Sequence, residues 1–108
     1  MAKNEMLPGT LGMLILRVLQ PGALHGYAIA QRIHQLSNEL LQVEEGSLYP
    51  ALQRMLLKGW VLAEWGVYET NRKVRFYRLT AAGRKQLQSE MNDFDRVLTG
   101  IQAVLEKA

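Results

Sequence analysis

A hydroxyl, a phenol, an amide and two cations fall within twelve residues of one another, at Ser47, Tyr49, Gln53, Arg54 and Lys58. Side chains of this kind recognise rather than react. Gln53 and Arg54 have the donors to read base edges in a DNA major groove, and Ser47, Tyr49 and Lys58 can hold phosphates. The bland reading is an ordinary surface helix with two solvated cations. An enzyme would need a cluster of reactive groups, whereas His25 and His34 stand nine residues apart on what should be different faces. No carboxylate pair or glycine-rich phosphate loop joins them, so catalysis is not expected. His25 fits a structural or phosphate-contacting role, and His34 an exposed helix position. With no cysteine there is no disulfide, thiolate nucleophile or cysteine-metal site; neither a metal nor a cofactor is expected, and a reducing compartment, the cytoplasm, fits best.

The helix that must carry the recognition residues is bracketed in the sequence. Ser47 is a good N-cap, Pro50 falls in the first turn where its missing N–H does no harm, and Gly59 is a natural left-handed stop. Leu48, Leu52, Met55 and Leu56 form an inward stripe, with Ser47, Pro50, Ala51, Arg54 and Lys58 expected on the opposite side, flanked by Tyr49 and Gln53.

One hundred and eight residues make one domain with a modest core, which association would help to stabilise. Nothing near the N-terminus resembles a signal peptide. The apolar run from Leu11 to Leu19 is too short to span a membrane and contains Arg17. The formal charge of +3 is unevenly spread: from Arg54 to Lys85 there are eight basic residues against Glu64 and Glu69, a net +6, which leaves −3 elsewhere. Concentrated basic charge around the proposed groove helix is the footprint expected of a nucleic-acid binder.

Along the chain, Pro8-Gly9-Thr10 predicts a loop ending in an N-cap, followed by a helix over Leu11–Gln20 that is apolar almost all round. One face can cover the domain's own core, and the excess points to a partner chain. Gln20-Pro21-Gly22 breaks that helix. A second helix after Leu24-His25-Gly26 carries Ile29, Ile33, Leu36 and Leu40, and a polar connection over 37–45 leads to the groove helix. Trp60–Trp65 and Val74–Leu79 read as strands around a basic tip with Asn71, Arg72 and Lys73. A hairpin directly after a third helix is the wing of a winged helix-turn-helix, able to reach a minor groove or a phosphate line. The fold class expected is α+β, mostly α: three helices and a two-stranded wing over 1–79, then a long C-terminal helix over 80–108.

Thr80 caps that last helix. Leu87, Met91, Phe94, Leu98, Ile101 and Leu105 recur at alternating spacings of four and three, widened by Val97 and Val104. A helix of this length reaches about 40 Å, more than a small core needs, so the seam is expected to face a second subunit. The expected homodimer interface is Leu11, Leu14, Ile15 and Val18 of the first helix with Leu87, Met91, Phe94, Leu98, Ile101 and Leu105 of the last.

These residues resemble a known family. His25-Gly26-Tyr27, Gly46-Ser47-Leu48-Tyr49-Pro50-Ala51-Leu52, Gly59, Glu64-Trp65 and Phe76-Tyr77-Arg78-Leu79-Thr80-Ala81-Ala82-Gly83 are similar, in order and over nearly the whole chain, to the PadR family of bacterial transcriptional regulators. The resemblance is to compact members with a single C-terminal helix. It implies a winged-helix homodimer and a repressor that lets go of DNA when a small molecule or stress signal arrives; two identical subunits related by a two-fold axis would in turn require an inverted-repeat operator. It also implies DNA contacts from Ser47, Tyr49, Pro50 and the wing. The full expected DNA-binding set is then His25, Tyr27, Ser47, Tyr49, Pro50, Gln53, Arg54, Lys58, Asn71, Arg72, Lys73 and Arg75. Compact members that sense aromatic drugs sandwich them between tryptophans of the paired C-terminal helices, and here no tryptophan follows Trp65. Phe94 takes that position, so an aromatic or apolar effector would lie near Met13, Arg17, Met91, Phe94 and Leu98, and a filled dimer core without ligand is the alternative.

Two other classes compete. A winged helix can be a protein-binding module without sequence-specific DNA recognition, since fold does not dictate function. Salt separates them, because DNA binding weakens steeply as counterions compete for phosphates. RNA binding would require an aromatic platform, and the sequence shows none with interleaved spacing.

Overall fold

The computed structural model describes residues 9–108. Seven elements follow one another: α1 (Thr10–Val18), β1 (Leu24–His25), α2 (Gly26–Leu36), α3 (Glu45–Leu57), β2 (Val61–Val67), β3 (Lys73–Leu79) and α4 (Ala81–Lys107). Pro8, part of the expected N-terminal loop, lies outside the described residues. Gly9, at φ 88°, takes the N-cap position of α1, so Thr10 is the first helical residue rather than the cap. No helix among the described residues is long and apolar enough to cross a membrane.

The core forms where α1, α2 and α3 meet the sheet. Ile15, Leu16 and Leu19 from the first helical segment, Ile29 and Ile33 from α2, and Leu48, Leu52 and Met55 from α3 are all buried. Ala51 is buried with them, contrary to the outward position expected of it. A helix turns about 100° per residue, so 51 lies one turn from 48 and 55 and belongs to their stripe. The α2 stripe ends sooner than its spacing implies. Leu36 and Leu40 are exposed because the helix stops at Leu36, where Asn38 turns left-handed and the Glu39 N–H closes on the His34 carbonyl (2.8 Å).

The sheet has three strands, in the order β1-β3-β2, all antiparallel. The expected wing was two-stranded. The extra strand is only Leu24 and His25, paired with Tyr77 and Phe76. A two-residue strand has no periodicity to recognise; it exists because β3 offers it an edge. The β2–β3 hairpin runs from Val61↔Leu79 to Val67↔Lys73, longer at its tip than the sequence spacing indicates.

Where α3 hands over to β2, the chain closes in a Schellman turn. Gly59, at φ 74°, donates its N–H to the Leu56 carbonyl (3.1 Å), and the Trp60 N–H reaches the Met55 carbonyl (3.0 Å). Thr80 then joins this turn to α4. Its hydroxyl donates to the Gly59 carbonyl (2.7 Å), and its oxygen accepts the Gly83 N–H (3.0 Å) as an N-cap. Gly83 is buried because the Trp60 carbonyl lies where a Cβ would sit. The Thr80-Ala81-Ala82-Gly83 run is thus a docking point for the last helix.

Beyond Leu87, which is 2% exposed in the core, α4 runs on alongside α1, with which it lines shared hollows as far as Ile101. Its projection raises the radius of gyration to 15.4 Å, against about 13 Å for a compact domain of this length. Met91, Phe94, Leu98 and Ile101 are between 38% and 49% exposed, and Leu105 is 76% exposed. The seam is therefore open along this helix. Two residues expected in a dimer interface are corrected here: Ile15 and Leu87 are spent on the chain's own core. Leu11, Leu14 and Val18 are only partly buried.

Candidate nucleic-acid interface

The helix expected to enter the groove, α3, starts two residues earlier than its expected cap. Glu44 takes the N-cap position, with extended backbone at φ −89° and ψ 149°, and Glu45 begins α3 with a carboxylate in the first turn, where the helix dipole favours it. Ser47 is consequently an exposed first-turn residue rather than the cap. Pro50 sits inside the helix, and its missing N–H leaves the Gly46 carbonyl without its usual helical donor. Both positions are exposed. Facing away from the core, in line along the helix, are Gly46, Pro50, Gln53 and Leu57; Leu57 is 82% exposed, a residue the sequence reading did not single out.

The wing tip is a three-residue hairpin loop. The Asn71 N–H donates to the Tyr68 carbonyl (2.9 Å) and the Tyr68 N–H to the Arg72 carbonyl (2.8 Å). Asn71 closes the turn at φ 60°, a conformation that asparagine tolerates better than most residues. This turn aims Arg72 and Lys73 at the start of β3. Between the wing and α3 lies an open cleft of about 630 Å³, walled by Tyr49 and Gln53 on the helix side and by Arg72, Lys73 and Arg75 on the wing side.

The expected DNA-binding residues thus separate into groups. Tyr27, Tyr49, Gln53, Arg72, Lys73 and Arg75 meet at the cleft, and Asn71 shapes its outer end. Ser47, Pro50 and Arg54 lie exposed elsewhere on α3, outside the cleft lining. Lys58 stands apart at the end of α3, its ammonium 5.1 Å from the centre of the Trp60 ring.

His25 is corrected. It is 7% exposed, and its Nε2 is buried without a hydrogen-bond partner among the described residues, so it cannot reach a phosphate. Its work is internal: Nδ1 accepts the Ala28 N–H (3.1 Å) as the N-cap of α2, and Tyr68 of the wing stands edge-on to the ring at 4.5 Å between centroids. Gly26 follows because the Tyr49 phenol oxygen would lie 2.7 Å from a Cβ there. The His25-Gly26 pair therefore ties α2, α3 and the wing together.

Trp65, Tyr68 and Glu45 also line the cleft and were missed as site residues. The Arg75 guanidinium lies 5.9 Å from the centre of the Trp65 ring, the residue it pairs with across the hairpin. Tyr77 forms the floor, and burial pushes its phenol above the ordinary tyrosine value, with Arg75 pulling the other way and Tyr49 adding a smaller rise. It remains a neutral hydrogen-bonding group. An aromatic platform that the sequence spacing did not reveal is assembled here from α2, α3 and the hairpin.

This arrangement, a basic wing beside an exposed polar helix, can be set against known proteins. The model of the PadR-like family of transcriptional regulators matches residues 15–89. The chain belongs to that family. A transcriptional regulator from Clostridium thermocellum has a structure similar to this PadR-like chain at a TM-score of 0.81 and 27% identity, covering 88% of this chain and 92% of that one. A PadR-like transcriptional regulator from Bacillus cereus is similar at 0.79 and 25% identity, with 95% and 98% covered. Bacillus subtilis PadR, solved in complex with operator DNA, shares the fold at 0.68 and 23% identity, over 77% of this chain and 47% of that one. The PadR-like chain is a regulator, not an enzyme.

Away from this cleft, α1 and α4 line two shallow hollows. One of about 370 Å³ is lined by Met13, Arg17, Met91 and Phe94, and one of about 460 Å³ by Met13, Phe94, Leu98 and Ile101, each with polar neighbours.

Proposed function

We propose that the chain is a DNA-binding repressor that grips an inverted-repeat operator as a homodimer. The observation that carries this reading is the meeting of Arg72, Lys73 and Arg75 with the exposed polar face of α3 across one cleft. Helix residues Gln53 and Arg54 read bases, Ser47, Tyr49 and Pro50 seat the helix, and the wing cations neutralise phosphates. The operator complex of Bacillus subtilis PadR supports the same use of this fold. A largely apolar protein contact would give no reason for three cations to gather there.

The open apolar stripe of α4 supports the second half of the reading. In it, residues 1–79 form the winged unit and 80–108 the dimerisation helix, with Met91, Phe94, Leu98, Ile101 and Leu105 meeting their counterparts and Leu11, Leu14 and Val18 completing the interface. A small aromatic or apolar effector would enter beside Met13, Arg17, Met91, Phe94 and Leu98, the residues of the two hollows. It releases DNA only by preferring a dimer whose α3 helices no longer match the half-sites. The setting this reading takes is the cytoplasm of a bacterium.

The test is selection of bound fragments from random duplex DNA by the purified protein. The expected product is an inverted repeat with half-sites about one helical turn apart, or a multiple of it. Recovery of unenriched fragments, or of one unrepeated half-site, would overturn the homodimeric repressor.

A further inference from the structure

The cleft holds more aromatic surface than reading a duplex requires. All four tyrosines of the chain, Tyr27, Tyr49, Tyr68 and Tyr77, and one of its two tryptophans, Trp65, line it. Tyr27 is 67% and Trp65 70% exposed, large rings left in water. A protein reading a duplex from its groove uses donors and acceptors against base edges, because base faces are hidden in the stack. Ring faces serve bases that are not stacked, and stacking on them is indifferent to sequence.

We infer that this cleft is a nucleotide site, taking one unstacked nucleobase against its aromatic walls with the attached phosphate on the wing cations. The inference rests on the reading of this face as the DNA-binding surface and adds a ligand class to it. Charge orients the ligand. Arg72 and Lys73 stand on the wing side, so the phosphate goes there; Glu45 on the helix side repels a phosphate and can accept from a base amino group, as Gln53 can donate to or accept from a base edge. The Arg75 guanidinium near the Trp65 ring adds a second cationic surface for a base to stack on. At about 630 Å³ the cleft is within the range of small-ligand sites.

Two sources present this chemistry, a free nucleotide and an unpaired nucleotide within a DNA strand. The experiment follows the emission of Trp65 in Trp60→Phe protein while 5′-CMP, a ten-residue oligo(dC) strand, deoxyribose 5′-phosphate or duplex DNA is added. Saturable quenching by CMP and by the strand, with displacement of duplex, is expected. Quenching by the strand alone assigns the site to unpaired DNA. Tyr27→Leu should weaken nucleotide or strand binding by about five- to hundredfold, and more than it weakens duplex binding. If Trp60→Phe fails to fold, calorimetric titration of the unaltered protein gives the same readings. Silence toward CMP and strand with duplex binding intact overturns the nucleotide site alone, as does an equal response to deoxyribose 5′-phosphate. Loss of duplex binding as well overturns the DNA-binding reading beneath it, and nucleotide binding without duplex binding leaves the site standing and that reading overturned.

Discussion

At the scale of single residues, two glycines and two polar side chains on α3 show how differently the chain uses its positions. Gly83 is fixed by packing, since the Trp60 carbonyl and a Leu79 methyl occupy the place of its Cβ. Gly83→Ala should therefore lower stability by about 1–3 kcal/mol through overpacking, despite alanine's better helix propensity. Denaturant melts read this directly, and an unchanged midpoint would mean that α4 docks some other way. Gly26 is fixed by the Tyr49 ring, and this was not legible as a reason. His25-Gly26-Tyr27 stands out in the sequence, but a contact with a residue more than twenty positions away leaves no local mark. Gln53 and Arg54 are the residues on which specificity depends in the proposed complex. Gln53→Ala and Arg54→Ala should each reduce discrimination between operator and unrelated DNA, by about 1–3 kcal/mol where a bidentate base contact is lost. Competition binding against both DNAs measures this; an unchanged ratio for both variants would remove α3 from base reading.

Among the elements, those with strong ends were legible and those made by pairing were not. Gly59 stops α3 and Thr80 starts α4 as their residue types dictate, because each supplies a local hydrogen bond or backbone conformation. Ser47 is equally good cap chemistry, yet the helix begins at Glu45, where an extended Glu44 precedes it. The earlier start adds only the exposed Glu45, Gly46 and Ser47, and it places the Glu45 carboxylate in the first turn, where the helix dipole favours it. The β1 strand could not be seen at all, since two residues carry no pattern and depend on the β3 edge. The α4 heptads are legible, but only part of them is available to a partner, because Leu87 is consumed by the core. Leu98→Glu tests the remainder. It puts a charge into the proposed seam, so light scattering should report monomer or unfolded protein, with the circular dichroism spectrum separating the two. A folded, unchanged dimer would exclude this stripe as the interface.

For the whole molecule, the layout separates two surfaces. The wing and α3 form a basic, aromatic-lined cleft, while α1 and α4 carry the exposed apolar seam and the hollows beside it. The basic surplus between Arg54 and Lys85 is visible in the sequence, but its convergence on α3 is not, because it follows from hairpin register and from the His25–Tyr68 contact. The central claim is that this basic face binds duplex DNA through its phosphates. The measurement that tests it most directly is the salt dependence of duplex binding for the wild type beside the Arg72→Ala, Lys73→Ala double variant. Binding should weaken steeply with salt in the wild type, and removing two phosphate contacts per subunit should weaken binding to every sequence and flatten the logarithmic slope by about two per bound subunit. Identical affinity and slope in the two proteins would contradict the account, because the cations that define the face would then be touching no phosphate.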